Sequence, residues 1–115
     1  MRKPLSHVHT NVHTLGMSDV IAGFDWDDGN WPKCGKHGVS RAGIEALLSG
    51  DCAVYPDPAH SRTEGRSLAI GQVGNRHVLV AFTFRRLGTK TLIRPISARY
   101  MHQKEVDHYE RQRQS

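Results

Sequence analysis

The sequence predicts an α+β domain: an antiparallel sheet of about four to five strands with its helices packed on one side. Three observations carry the prediction. The first half holds one clear amphipathic helix, residues 52–98 hold four short apolar or alternating runs, and a charged helical stretch follows them. Successive runs joined by short turns pair antiparallel, and flanking helices bury their apolar stripes against the sheet so formed. A chain of 115 residues supports one such core, and is too short for two.

Residues 1–16 (MRKPLSHVHTNVHTLG) show neither the helical nor the strand period. Residues 1–19 are therefore expected as a disordered extension ahead of a domain spanning 20–112, or as sequence upstream of a start at Met17. From Val20 to Trp26 the run VIAGFDW reads as a first strand, stopped by Asp27-Asp28-Gly29-Asn30. Residues 31–37 (WPKCGKH) are a weak helix at best, because Pro32 suits only a first turn and Gly35 costs about 1 kcal/mol in a helix interior. Gly38 is suited to end it in a left-handed conformation. Ser40 then caps RAGIEALLS, whose Ile44, Leu47 and Leu48 form a stripe at i, i+3, i+4, and Gly50 closes that helix.

CAVYPD, SLAIGQV, RHVLVAFTF and TLIRPISA follow as four strands. Gly74-Asn75 and Leu87-Gly88 are hairpin-length connections. Val78 to Phe82 is apolar on both faces, which suits a central strand. Residues 102–113 (HQKEVDHYERQR) offer only Val106 and Tyr109 for packing, as in a charged surface helix.

Sixteen Lys and Arg against eleven Asp and Glu give a net charge of +5 and a pI near 9.6, a balance that favours a polyanionic partner. Cys34 and Cys52 sit in unrelated contexts with no C-x-x-C, so they read as free thiols of a cytoplasmic protein. No apolar run is long enough for a signal peptide or a membrane span. His7, His9 and His13 lack carboxylate or thiolate support, so no metal site and no cofactor is expected.

Five basic residues (Arg85, Arg86, Lys90, Arg94, Arg99) and no acidic one lie between 85 and 99. If the last two strands pair, these charges converge, and phosphates neutralise such a cluster well; a solvated basic edge strand is the plainer alternative. Pro95 implies an edge or a bulge, and a bulge would turn Arg94 outward from the side of Leu92 and Ile96. Lys36 and His37 bring a cation and an imidazole to a helix end, where they also complement its negative pole. Glu64 and Arg66, two apart, point to one face if extended, as an ion pair or as a proton carrier with a phosphate clamp. Trp26 reads as core, while Tyr100 beside Arg99 is equally suited to stack on a base.

Taken in order, Phe24-Asp25-Trp26-Asp27, Lys36-His37-Gly38-Val39-Ser40, Asp57 with His60, Glu64-x-Arg66, Ile70-Gly71, V-A-F-T at 80–83, Arg94-Pro-Ile-Ser-Ala-Arg99 and Glu105 with Tyr109-Glu110 resemble the BrnT toxin family along residues 24–110. The resemblance implies a RelE-like fold and an endoribonuclease that slows growth. It also implies neutralisation by a BrnA-type antitoxin, which brings a ribbon-helix-helix DNA-binding part, in a heterotetramer of two toxins and two antitoxins. Gly65 stands where a second Glu is common, and Pro32 and Gly35 stand where members have helix formers.

The expected reaction is metal-independent attack of a ribose 2′-hydroxyl on its own phosphate. Arg66, Arg94 and Arg99 are the expected clamp, Glu64 or His37 the proton carrier, and Lys36, Arg85 and Tyr100 the substrate contacts. A non-catalytic nucleic-acid-binding module is the main rival. A degenerate toxin that only binds its antitoxin is another.

Overall fold

The computed structural model describes residues 8–11 (backbone only), 21–57 and 65–114. Five strands form where the sequence places them: β2 (Ile21–Phe24), β3 (Asp51–Pro56), β4 (Ser67–Val73), β5 (Arg76–Leu87) and β6 (Lys90–Tyr100). From the N-terminal stretch, β1 (Val8–Asn11) adds a sixth. The order across the sheet is β1-β3-β4-β5-β6-β2, antiparallel throughout except for β2, which runs parallel to β6. The fold is thus α+β on a mostly antiparallel sheet.

Helix α1 (Arg41–Ser49) forms as its stripe requires. The Ser40 hydroxyl accepts from the Gly43 N–H at 3.0 Å, satisfying one of the donors a helix start leaves open. Ile44, Leu47 and Leu48 then pack on Cys52, Ala69, Val78, Val80, Phe82, Ile93 and Ala98. Close approach is possible because Gly71 leaves its place to Leu47: a Cβ there would lie 2.8 Å from Leu47 Cγ. Burying Leu48 and Ile44 fully contributes roughly 1.5–3 kcal/mol each.

The hairpin turns take the expected residues, with Gly74 at φ 64° and Gly88 at φ 63°. Strand β5 is central, and its alternate residues Val78, Val80 and Phe82 face α1 while Leu79, Ala81 and Thr83 face the other way. Helix α2 (Gln103–Gln114) lies on that second face, where Tyr109 packs with Ala53 and Ile70. The class is the expected one, but the two helices lie on opposite sides of the sheet. A helix with only Tyr109 and Val106 to bury needs just a small apolar patch, and strand alternation supplies one behind the main core.

Residues 27–38 form turns with one short 3-10 segment, Lys33–Gly35, in place of a helix. Asn30, 2% exposed, organises this loop. Its side-chain amide donates to the carbonyls of Asp25 and Pro95 at 2.9 and 2.8 Å and accepts from the Asp27 N–H at 2.8 Å. The loop is thereby laid along β6 beyond the short β2, and Cys34 points into the core.

Candidate active site

Arg94 and Arg99 are five residues apart, so regular alternation would put them on opposite faces of β6. The register shows why it does not. Ala81 pairs with Ser97 and Phe82 with Pro95, which leaves Ile96 as the extra residue of a bulge. Arg94 then stands opposite Thr83 and Arg99 opposite Leu79, both on the face away from α1. Four residues of β5 separate them, roughly 14 Å along the strand. The expected bulge is present, but it follows Arg94 and leaves it on the side of Leu92. What the bulge re-aims is Arg99.

At the Arg94 end the basic cluster is neutralised. Arg94 Nη1 donates to Asp25 Oδ2 at 2.9 Å and Asp27 Oδ2 at 3.1 Å, and its Nη2 donates to Asp27 Oδ1 at 3.0 Å. Arg85 Nη1 adds a contact to Asp25 at 3.2 Å. The Arg94 hydrogen bond holds the Asp27 carboxyl below the usual carboxylate range, and Asp27 in turn raises Arg94 further. The compensating carboxylates come from a turn some sixty residues earlier, brought alongside by the parallel pairing of β2 with β6. No acidic residue between 85 and 99 was needed.

At the other end Arg99 is held differently. Its Nη1 and Nη2 donate to the two Glu105 oxygens at 2.8 Å each, a bidentate pair. Glu105 Oε1 also accepts from the His102 N–H at 2.8 Å, closing the first turn of α2 as a capping carboxylate does. Arg99 first, and this backbone bond second, lower Glu105 to about 2.

Around this pair lie two recesses. One, about 210 Å³, is lined by Lys33, Lys36, His37, Leu68, Ser97 and Arg99 among others. The second, about 380 Å³, is lined by His37, Arg76, Arg99, Tyr100, Met101 and His102. They share His37 and Arg99. Arg76 stacks over the Tyr100 ring at 3.7 Å. Among the described residues, Lys33, Lys36 and Arg76 take part in no ion pair, in contrast to Arg85 and Arg94. A larger hollow of about 620 Å³ under α2 is mostly apolar, with Leu68, Ile70, Leu79 and Tyr109 in its wall. Lys33, Lys36, Arg76 and Arg99 line the two smaller recesses, while, among the described residues, Lys104 is the one Lys or Arg in the wall of the larger hollow.

Of the residues singled out in the sequence, Lys36, His37, Arg99 and Tyr100 come together here. Arg85 and Arg94 belong to the ion-pair cluster. Arg66 immediately precedes β4, and alternation from Leu68 puts it on the same sheet face, in line with Thr83 and Arg94. Glu64, His7 and His13 lie outside the described residues. Trp26 packs against the main core, donates from Nε1 to Glu45 at 2.8 Å and carries Arg41 over its ring. Lys33, Arg76 and His102 were missed. Lys33 lies three residues before Lys36, a spacing that signals a shared side; Arg76 and His102 are joined to the site by strand register alone.

Among the described residues no group of three or more His, Cys, Asp or Glu is placed to hold a metal ion. Among the described residues no helix is long and apolar enough to cross a membrane. No curated protein matches the chain significantly. A family model described as the ribonuclease toxin, BrnT, of type II toxin–antitoxin systems matches residues 26–105, a span that opens just before the Asn30 loop and closes on the partner of Arg99. The chain belongs to this BrnT family of ribonuclease toxins.

Proposed function

We propose that the chain is an endoribonuclease whose chemistry takes place at Lys36, His37 and Arg99, without a metal. The observation that carries this reading is the convergence of these side chains on one recess, where, among the described residues, Lys36 takes part in no ion pair and Arg99 has Glu105 alone, while Arg94 and Arg85 are shared between Asp25 and Asp27. In the reaction the ribose 2′-oxygen forms a bond to the adjacent phosphorus and the bond from phosphorus to the 5′-oxygen breaks. A 2′,3′-cyclic phosphate and a 5′-hydroxyl remain. His37, of the residue type best able to exchange protons near neutrality, takes the 2′-hydroxyl proton, and an acid returns one to the leaving 5′-oxygen. Glu64 is the sequence candidate for that second carrier. Arg99 and Lys36 supply positive charge where negative charge grows on the phosphoryl oxygens. Arg66, on the same sheet face, extends the field.

Arg99 must release Glu105, at least in part, to bind a phosphate through its fork. Arg94 is a strut in this reading, holding the turn from which Asn30 and the Lys33–His37 segment are hung. Tyr100 supports the site from beneath Arg76. The partner that silences the site is a BrnA-type antitoxin carrying a ribbon-helix-helix DNA-binding part, in a complex of two toxins and two antitoxins, and the site of action is the cytoplasm where RNA is met.

The test is incubation of the full-length protein, Arg99→Ala and His37→Ala with end-labelled RNA in EDTA. Cleavage by the unaltered chain giving cyclic phosphate ends, reduced at least 100-fold in both variants, is the expected result. Products ending in 3′-hydroxyls, or variants as active as the parent, would refute the assignment. Salt-sensitive RNA binding without new ends would favour the non-catalytic reading.

A further inference from the structure

We infer that the recess between Arg76, Tyr100 and His102 is a second nucleotide subsite, in which Arg76 takes the phosphate next along the RNA from the one that is cut; the inference rests on the ribonuclease reading above. The recess of about 380 Å³ is joined to the first one through His37 and Arg99, which line both. Its volume falls within the rough 300–1,000 Å³ range of small-molecule sites. A strand whose scissile phosphate rests on Arg99 and His37 therefore has a continuous cationic path in which to place its neighbouring nucleotide.

Arg76 is suited to end that path. Its guanidinium lies over the Tyr100 ring at 3.7 Å, and a guanidinium stacked by one planar face keeps its in-plane N–H groups able to donate. The side chain is held without a carboxylate, since Arg76 is in no ion pair among the described residues. That sets it apart from Arg85, Arg94 and Arg99, whose donors already meet carboxylates. Register makes the placement firm: Val78 pairs with Tyr100, so Arg76, two residues before Val78, stands beside the end of β6 where α2 is about to begin. A guanidinium stacked on a ring, exposed and lacking a counter-charge is a phosphate contact in waiting.

Short RNAs bearing 2′-O-methyl groups bind without being cut, so they test the subsite apart from catalysis. Three probes are titrated into the full-length protein and into Arg76→Ala: a dinucleoside monophosphate, and the same probe with a terminal phosphate at its 5′ or its 3′ end. One of the two terminal phosphates is expected to tighten binding about tenfold, and Arg76→Ala to lose that gain while binding the plain probe as before. The salt dependence of log K for the tightened probe should fall by about 0.7 in the variant, the value for one contact on a single strand. Arg76→Lys keeps the charge and should recover part of the gain. Thermal unfolding of the variants checks that they are folded, and Arg76, being exposed, leaves no cavity when truncated.

No gain from either phosphate, or a gain that survives in Arg76→Ala, overturns the inference. So does equal weakening of the plain probe, which would put Arg76 at the scissile phosphate. An acidic peptide that displaces the tightened probe as well as RNA does would reassign the recess to a protein partner. Cleavage of the unmethylated dinucleotide is scored separately. Its absence alongside an intact phosphate gain refutes the catalytic reading and leaves the subsite standing.

Discussion

Replacing Arg94 by Ala separates a strut from a phosphate clamp. The Arg94 side chain is 20% exposed and Asp25 14%, so their contact is largely shielded, whereas Asp27 is half exposed and regains water when its partner goes. Counting only the Asp25 contact, a hydrogen bond between charged groups is worth roughly 1.5–3 kcal/mol, and truncation leaves the shielded carboxylate with Arg85 alone. The expected loss is about 2 kcal/mol at pH 7, or about 8–12 °C in Tm for a domain near 100 residues. Urea unfolding of the full chain and the variant measures it.

The pH dependence gives a second reading of the same variant. Asp27 is held below its ordinary value of 3.8 in the folded state, so the stability it gains from Arg94 is fully present above that value. It is lost as pH falls through the lowered one. The gap between parent and variant should therefore narrow as pH falls below 3.8. In the cleavage assay, at a temperature where the variant is folded, Arg94→Ala should lose far less activity than Arg99→Ala. Unchanged stability, a gap that does not narrow in acid, or a loss of activity equal to that of Arg99→Ala would refute the strut.

Glu105→Gln removes half of the Arg99 pair and weakens the first-turn cap of α2. With about a third of each partner exposed, solvent screening leaves about 1 kcal/mol. Because the folded value of Glu105 is lowered from 4.5 to about 2, that contribution is present above pH 4.5 and disappears as pH falls toward 2; an NMR titration of its carboxyl with a midpoint near 4.5 would contradict the pair. Leu48→Ala empties a fully buried position between α1 and the sheet and should cost about 3 kcal/mol in urea unfolding, with no change in RNA affinity. Thr91, 3% exposed, has a hydroxyl without a hydrogen-bond partner among the described residues, so Thr91→Val should raise stability by about 1 kcal/mol; a loss would show the hydroxyl to be satisfied.

The elements with a strong local signal were legible without coordinates. Ser40 and the Ile44, Leu47, Leu48 stripe specify α1, and the Gly74 and Gly88 turns with their flanking runs specify the hairpins, because capping, periodicity and positive φ are properties of a few adjacent residues. Lys36 and His37 were legible as a pair for the same reason. The 27–38 loop was not, since its shape depends on Asn30 reaching the carbonyl of Pro95, sixty-five positions away.

The sequence by itself determined five of the six strands, the main helix and the basic charge, because these follow from neighbours in the chain; β1 carries no period of its own and is placed by its pairing with β3. Only the tertiary structure decided which carboxylate meets each cation and which cations share a recess. The parallel placement of β2 beside β6 brings Asp25 and Asp27 to Arg94, and one extra residue at Ile96 turns Arg99 toward His37. Side-chain direction depends on register, and neutralisation depends on the nearest carboxylate in space. Neither can be read from a composition in which residues 85–99 hold only positive charge.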